Sequence, residues 1–171
     1  VANIQNFLED DSTELTASVD QIIGQAEDMI FQRLPNLPCF RQTTTANLVA
    51  GTTDYVVTGA RMIRQVSIIS SNVVSYLDHR VDSYLRDYWP NATTQDTPKF
   101  YSTKSASGTS GTLGGSGTTI TIAPTPNAAD TYQVDYIAPE MGISSLNPNT
   151  WISNNAENVL LSACLYEASA F

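Results

Sequence analysis

The sequence has a single histidine, His79, and only two cysteines, Cys39 and Cys164. A Ser-His-Asp or Cys-His arrangement would have to use His79. That residue lies in Leu77-Asp78-His79-Arg80-Val81, at an expected strand end between charges, and no G-x-S-x-G accompanies it. It reads as an exposed strand-end side chain. The cysteines are 125 positions apart. They fit neither C-x-x-C nor a zinc-ligand spacing and read as separate core thiols, so no metal or other cofactor is expected. Nothing points to an oxidising compartment. There is no run of about 18 apolar residues to cross a membrane, and no basic-then-apolar start marks a signal peptide. Bases are scarce: 8 Lys and Arg face 17 Asp and Glu, for a net charge of −9. A protein that holds nucleic acid by its phosphates does so with Lys and Arg, so this balance excludes tight DNA gripping.

What is present is a helix, then strands, then a helix, in 171 residues. Ile4, Phe7 and Leu8 are at helical spacing in residues 1–9, and Asp10-Asp11-Ser12-Thr13 breaks the pattern. Val19, Ile22, Ile23, Ala26, Met29, Ile30 and Leu34 form one stripe of a second helix. Its start is open between Ser18, with Gln21 in the capping-box position, and Ser12 or Thr13 further back. Pro35 and Pro38 end it. From Phe40 to Pro139 short β-branched and aromatic runs alternate with turn residues. Strands are predicted over Arg41–Leu48, Asp54–Thr58, Arg61–Ser70, Val73–Leu77, Pro98–Thr103, Thr118–Ala123 and Thr131–Ile137, with a helical turn or two over Val81–Trp89. A last helix carries Ile152, Ala156, Val159, Leu160, Ala163 and Cys164 on one stripe. Asn154 is its expected N-cap, Glu157 its capping-box partner and Trp151 a staple before it.

The expected class is α+β: N- and C-terminal helices packed together, with an inserted antiparallel β-sandwich or barrel-like domain. The boundaries are 1–39 for the N-terminal helical part, 40–139 for the β-domain and 140–171 for the C-terminal helix. A first residue of Val, and a helical pattern still running at Phe171, lead to the expectation that the protein extends past both ends.

Two stretches are candidates for contact with other molecules. Glu9, Asp10, Asp11, Glu14, Asp20, Glu27 and Asp28 all precede the first base, Arg33. They are either a solvated helix face with an acidic turn, or a face that meets a basic partner or lines a DNA path. Residues 102–119 are mostly Gly, Ser and Thr and read as a long hairpin loop. Within it Ser105, Gly108, Gly111, Gly114, Gly115 and Gly117 mark a candidate assembly loop that orders against a neighbour. It has no phosphate-loop pattern.

The order of the pieces resembles the head-to-tail adaptor (connector) proteins of tailed bacteriophages. The residues that carry this are Ala26–Leu34, then Tyr76-Leu77-Asp78 leading into Ser83–Tyr88, and Thr97–Tyr101. Ile120–Pro126, Thr131–Tyr136 and the terminal Leu165-Tyr166-Glu167-Ala168 follow. The resemblance implies a non-enzymatic structural virion protein at the neck, made in the bacterial host cytoplasm and without membrane contact. It implies a twelve-fold homo-oligomeric ring that joins the portal protein to tail or nozzle proteins, with genomic DNA passing through the centre unread. It supplies no catalytic, cofactor or metal residue.

Three other readings compete. One is a different neck or tail structural protein, such as a stopper or minor tail protein. A second is a β-sandwich carbohydrate-binding module, with Tyr55, Tyr76, Tyr101, Tyr132 and Tyr136 as an aromatic platform; the bland role for these is cross-strand packing. A third is a hydrolase assembled from carboxylates such as Asp54, Asp78, Asp82 or Asp135, which would show a close acid pair in a cleft with one pKa raised.

Overall fold

The structure is a computed structural model that describes residues 13–105, 117–140, 142–144 and 147–169. The short helix expected over residues 1–9 lies outside these. The chain divides into two compact units. One comprises the segments up to Phe40 and from Pro139 onward; the other is Arg41–Ala138. The fold is α+β, with helices towards both ends of the chain and strands between them.

In the helical unit, α1 spans Thr13–Arg33. Ser18 is therefore interior, and the earlier of the two possible starts is the real one. Val19, Ile22, Ile23, Ala26 and Ile30 are buried, as their spacing requires. Leu34, expected on the same stripe, lies past the helix end and is 50% exposed. A 3₁₀ turn, Pro38–Phe40, follows and buries Phe40, whose ring meets Phe31 edge-on at 4.9 Å.

At the other end the expected single helix is two: α3, Trp151–Asn155, and α4, Glu157–Ala168. The N-cap is Thr150, not Asn154. The Thr150 hydroxyl accepts the Ser153 N–H, and the Ser153 hydroxyl oxygen accepts the Thr150 N–H. This closes a capping box one turn earlier than the sequence suggested, with serine in place of Glu or Gln at its third position. Trp151 is consequently the first residue of α3 rather than a staple. At Ala156 the backbone leaves helical values, with φ −143°, and the helix restarts. Leu160, Ala163 and Cys164 form the buried side of α4, which packs against α1.

The other unit is a sandwich of two four-stranded sheets. Strands β1 (Arg41–Asn47), β3 (Met62–Ser70), β4 (Val73–Tyr76) and β10 (Thr131–Ile137) form the first sheet, in the order β1-β10-β3-β4, antiparallel throughout. The second has the order β2-β8-β7-β5, from β2 (Asp54–Thr58), β8 (Gly117–Ala123), β7 (Phe100–Ser105) and β5 (Asp78–His79). Alternate residues from both sheets, among them Val57, Val66, Ile68, Ile120, Ile122, Tyr132 and Val134, meet in one core. The sequence-predicted strands are all present, to within a residue or two at their ends. Sequence reading missed β5, β6 (Gln95–Asp96) and β9 (Thr125–Pro126), two-residue strands whose pairings, β5–β7 and β6–β9, are parallel. Two residues cannot show a period. Between β5 and β6 lies α2, Asp82–Tyr88.

The long hairpin loop is shorter than expected. Strand β7 continues to Ser105 and β8 begins at Gly117, with Ser105 opposite Thr118. Hydroxyls support this extension: Thr118 donates to the Ala60 carbonyl at 2.9 Å. Ser102 and Thr119 are buried despite their polarity.

Candidate functional site

Charge divides along the chain. Residues 41–138 hold seven bases and seven acids, whereas residues 1–40 and 139–171 hold one base, Arg33, against ten acids. The whole net charge of −9 thus belongs to the segments of the helical unit. Of the candidate acidic residues, Asp20 and Asp28 are exposed on α1. Glu14 also lies on α1, and Glu9, Asp10 and Asp11 are outside the described residues. Glu27 is half-buried and faces its own unit, where the Ile143 N–H donates to its carboxylate at 3.1 and 3.2 Å. Burial pushes its pKa up; the Ile143 hydrogen bond opposes this, and Glu140 and Asp28 add to the rise.

Glu27 and Glu140 line a groove of about 260 Å³ with Gly24, Phe31, Phe40 and Pro139. Two acids in one groove, with the pKa of Glu27 raised, are the features the hydrolase reading asks for. Each carboxylate already has a backbone partner: Glu140 accepts the Trp151 N–H at 2.8 and 3.1 Å. Glu140 thereby satisfies a free donor at the start of α3, and Glu27 holds the Gly142–Ser144 segment in place. The arrangement serves to fasten chain segments.

A second groove, of about 450 Å³, opens in the β unit and includes Asp54, Asp82, Arg86, Trp89, Lys104 and Thr121. Its charges are also paired. The Lys104 ammonium lies 2.7 Å from Asp54, and the Thr121 hydroxyl donates to Asp54 at 2.6 Å. Burial pushes the Asp54 pKa up, but these two hydrogen bonds and the Lys104 charge together outweigh it and hold the carboxyl below its ordinary value. Arg86 meets Asp82 at 2.7 Å one helical turn away. The Trp89 indole N–H donates to the Thr94 carbonyl.

The aromatic platform does not form. Tyr55, Tyr101, Tyr132 and Tyr136 are buried, and only Tyr76 stands out, 66% exposed. Tyr55 spends its hydroxyl on the 49–52 turn, accepting the Val49 N–H and donating to the Thr52 carbonyl, each at 3.0 Å. His79 is exposed on β5, with its ring against Tyr101 at 5.1 Å. Tyr84, Tyr88 and Phe100 cluster beside it, with Arg80 5.5 Å over Tyr84 and 5.7 Å over Phe100. Both cysteines are free; burial pushes the Cys164 thiol up to about 11, the opposite of an activated nucleophile. Among the described residues no three His, Cys, Asp or Glu side chains gather to hold a metal. No helix there is long and apolar enough to cross a membrane.

Of the candidate assembly-loop residues, Ser105 ends β7 and Gly117 begins β8. Gly108, Gly111, Gly114 and Gly115 are outside the described residues. Sequence reading gave both strands of the β3–β4 hairpin but did not single it out as a contact surface. It turns on Ser71 and Asn72, both at positive φ (50° and 64°), as two-residue hairpins require. It exposes Val73, Val74 and Tyr76. The signal was present: no residue from Gln65 to Leu77 is charged.

The exposed apolar residues of β4 are the kind of surface that marks contact with another chain. The SU10 adaptor protein family model matches residues 1–171, and the chain belongs to that family. It is accordingly a phage structural adaptor and a virion component that contacts other capsid or tail proteins. No curated protein matches the chain.

Proposed function

We propose that the protein is a head-to-tail adaptor: a subunit of a homo-oligomeric ring that joins the portal to the tail and surrounds the DNA channel, with no catalytic activity of its own. Membership of the adaptor family over the whole chain carries this reading. The charge distribution supports it. A ring through which DNA slides must not hold it, and the bases that would grip phosphate are balanced one for one in residues 41–138. In this reading the acidic face of α1, with Asp20 and Asp28, is turned to the channel or to a basic partner. The 106–116 segment, held between the ends of β7 and β8, meets a neighbour or tail protein.

Electron microscopy of the purified full chain tests the proposal, with closed rings around an axial hole as the expected image. Particles of monomer size at all concentrations would remove the ring. Reversing Asp20 and Asp28 together to Lys is expected to slow DNA ejection from assembled virions; unchanged ejection would free α1 from the channel.

A further inference from the structure

We infer that copies of this chain join by sheet extension, the free edge of β4 in one copy pairing with the free edge of β1 in the next. The inference rests on the ring proposed above and specifies how its subunits meet.

The first sheet has the order β1-β10-β3-β4, so among the described residues β4 and β1 each have one side without a strand partner. An edge strand presents a row of unpaired N–H and C=O groups. Proteins normally defend such an edge with charge, proline, a bulge or a cover. The second sheet follows that rule. Its β2 edge starts at Asp54, paired to Lys104, and its β5 edge carries Asp78 and His79, with Arg80 close behind.

The first sheet does not follow it. All four residues of β4, Val73–Tyr76, are exposed, and no charge occurs between Gln65 and Leu77. After the leading Arg41, the other six residues of β1 are Gln, three Thr, Ala and Asn; from Gln42 to Asn47 there is no charge and no proline. A β-branched, uncharged edge of this kind is an assembly or aggregation site unless something covers it.

Two observations point to a second copy as the cover. The directions match. Strands β1 and β4 are separated by three antiparallel pairings, so they run opposite to each other. The β4 of one copy therefore meets the β1 of the next antiparallel, continuing the alternation of the sheet. The charges match as well. Two copies meeting through their helical units would set −9 against −9, whereas residues 41–138 are balanced at seven and seven. Because the two edges differ, the contact is head-to-tail, and such contacts close into a ring when their rotation allows.

The test uses two full-length variants, Val74→Lys on β4 and Thr45→Lys on β1, both at exposed positions. Each is measured by native mass spectrometry after circular dichroism has shown it folded. The native chain is expected to assemble. Each variant alone is expected to be monomeric, its subunit dissociation constant raised at least about ten-fold. Mixed together, they are expected to stop at a dimer, because each supplies the intact edge the other lacks. A Thr45→Lys chain that still assembles while Val74→Lys does not would show a symmetric β4–β4 contact and overturn the inference. Native-size assemblies from both variants would overturn it while leaving the ring standing. A native chain that is monomeric throughout would overturn both.

Discussion

Gly117 shows what a single residue does at the base of the β7–β8 hairpin. A Cβ built there falls 2.6 Å from the Val57 carbonyl oxygen, a backbone atom of the paired strand β2 that cannot move aside without breaking the ladder. Its φ of +156° adds to the restriction. Gly117→Ala is expected to lower stability by about 1–3 kcal/mol, from the general cost of overpacking, read as a lower urea midpoint with the same m-value. Glu27 is expected to behave in the other direction. A folded-state pKa raised above the unfolded value means that folding favours the protonated form. Its contribution to stability is full below the ordinary glutamate pKa and is lost as pH rises through the folded pKa. Glu27→Gln keeps an oxygen for the Ile143 N–H and removes the charge. It is expected to raise the Tm at pH 7 and to leave it unchanged near pH 4, where the native carboxyl is itself protonated. A lower Tm at pH 7 would mean that the charge strengthens the Ile143 hydrogen bond by more than burial and repulsion cost.

Among the elements, the C-terminal pair of helices depends on its first cap. Thr150 is 2% exposed and satisfies the Ser153 N–H, while Ser153 answers on the Thr150 N–H. Thr150→Ala is expected to cost about 1 kcal/mol, and hydrogen exchange should quicken first in α3, from Trp151 to Asn155. Element type was legible in the sequence wherever a period could build up: α1 from Val19-Ile22-Ile23-Ala26-Ile30, and β8 and β10 from their alternation. It was not legible where the deciding contact is distant or the element too short. Asn154 looked like the better cap because Glu157 follows it at the right spacing, but Glu140, remote in sequence, binds the Trp151 N–H and starts the helix earlier. The strands β5, β6 and β9 exist only through partners 22 to 30 residues away. The extra length of β7 and β8 arises from pairing across the sheet, Lys104 with Thr119, Ser105 with Thr118 and Gly117 with Thr58, which a Gly/Ser/Thr-rich composition does not foretell.

For the molecule as a whole, the acidic bias was visible in the sequence from the start, and the run before Arg33 was readable as a face for a partner or for DNA. That all of the −9 belongs to the helical unit became visible only once the chain was divided into its two units. Glu27, which the sequence groups with its acidic neighbours, is instead committed to the backbone at Ile143. The adaptor reading places the protein's activity in contacts between subunits, and it is tested most directly by assembling particles without it. Virions made in the absence of this chain are expected to be filled heads without tails, and adding the purified native chain should restore tail attachment. Tailed, infectious particles formed in its absence would contradict the proposal that this protein joins head to tail.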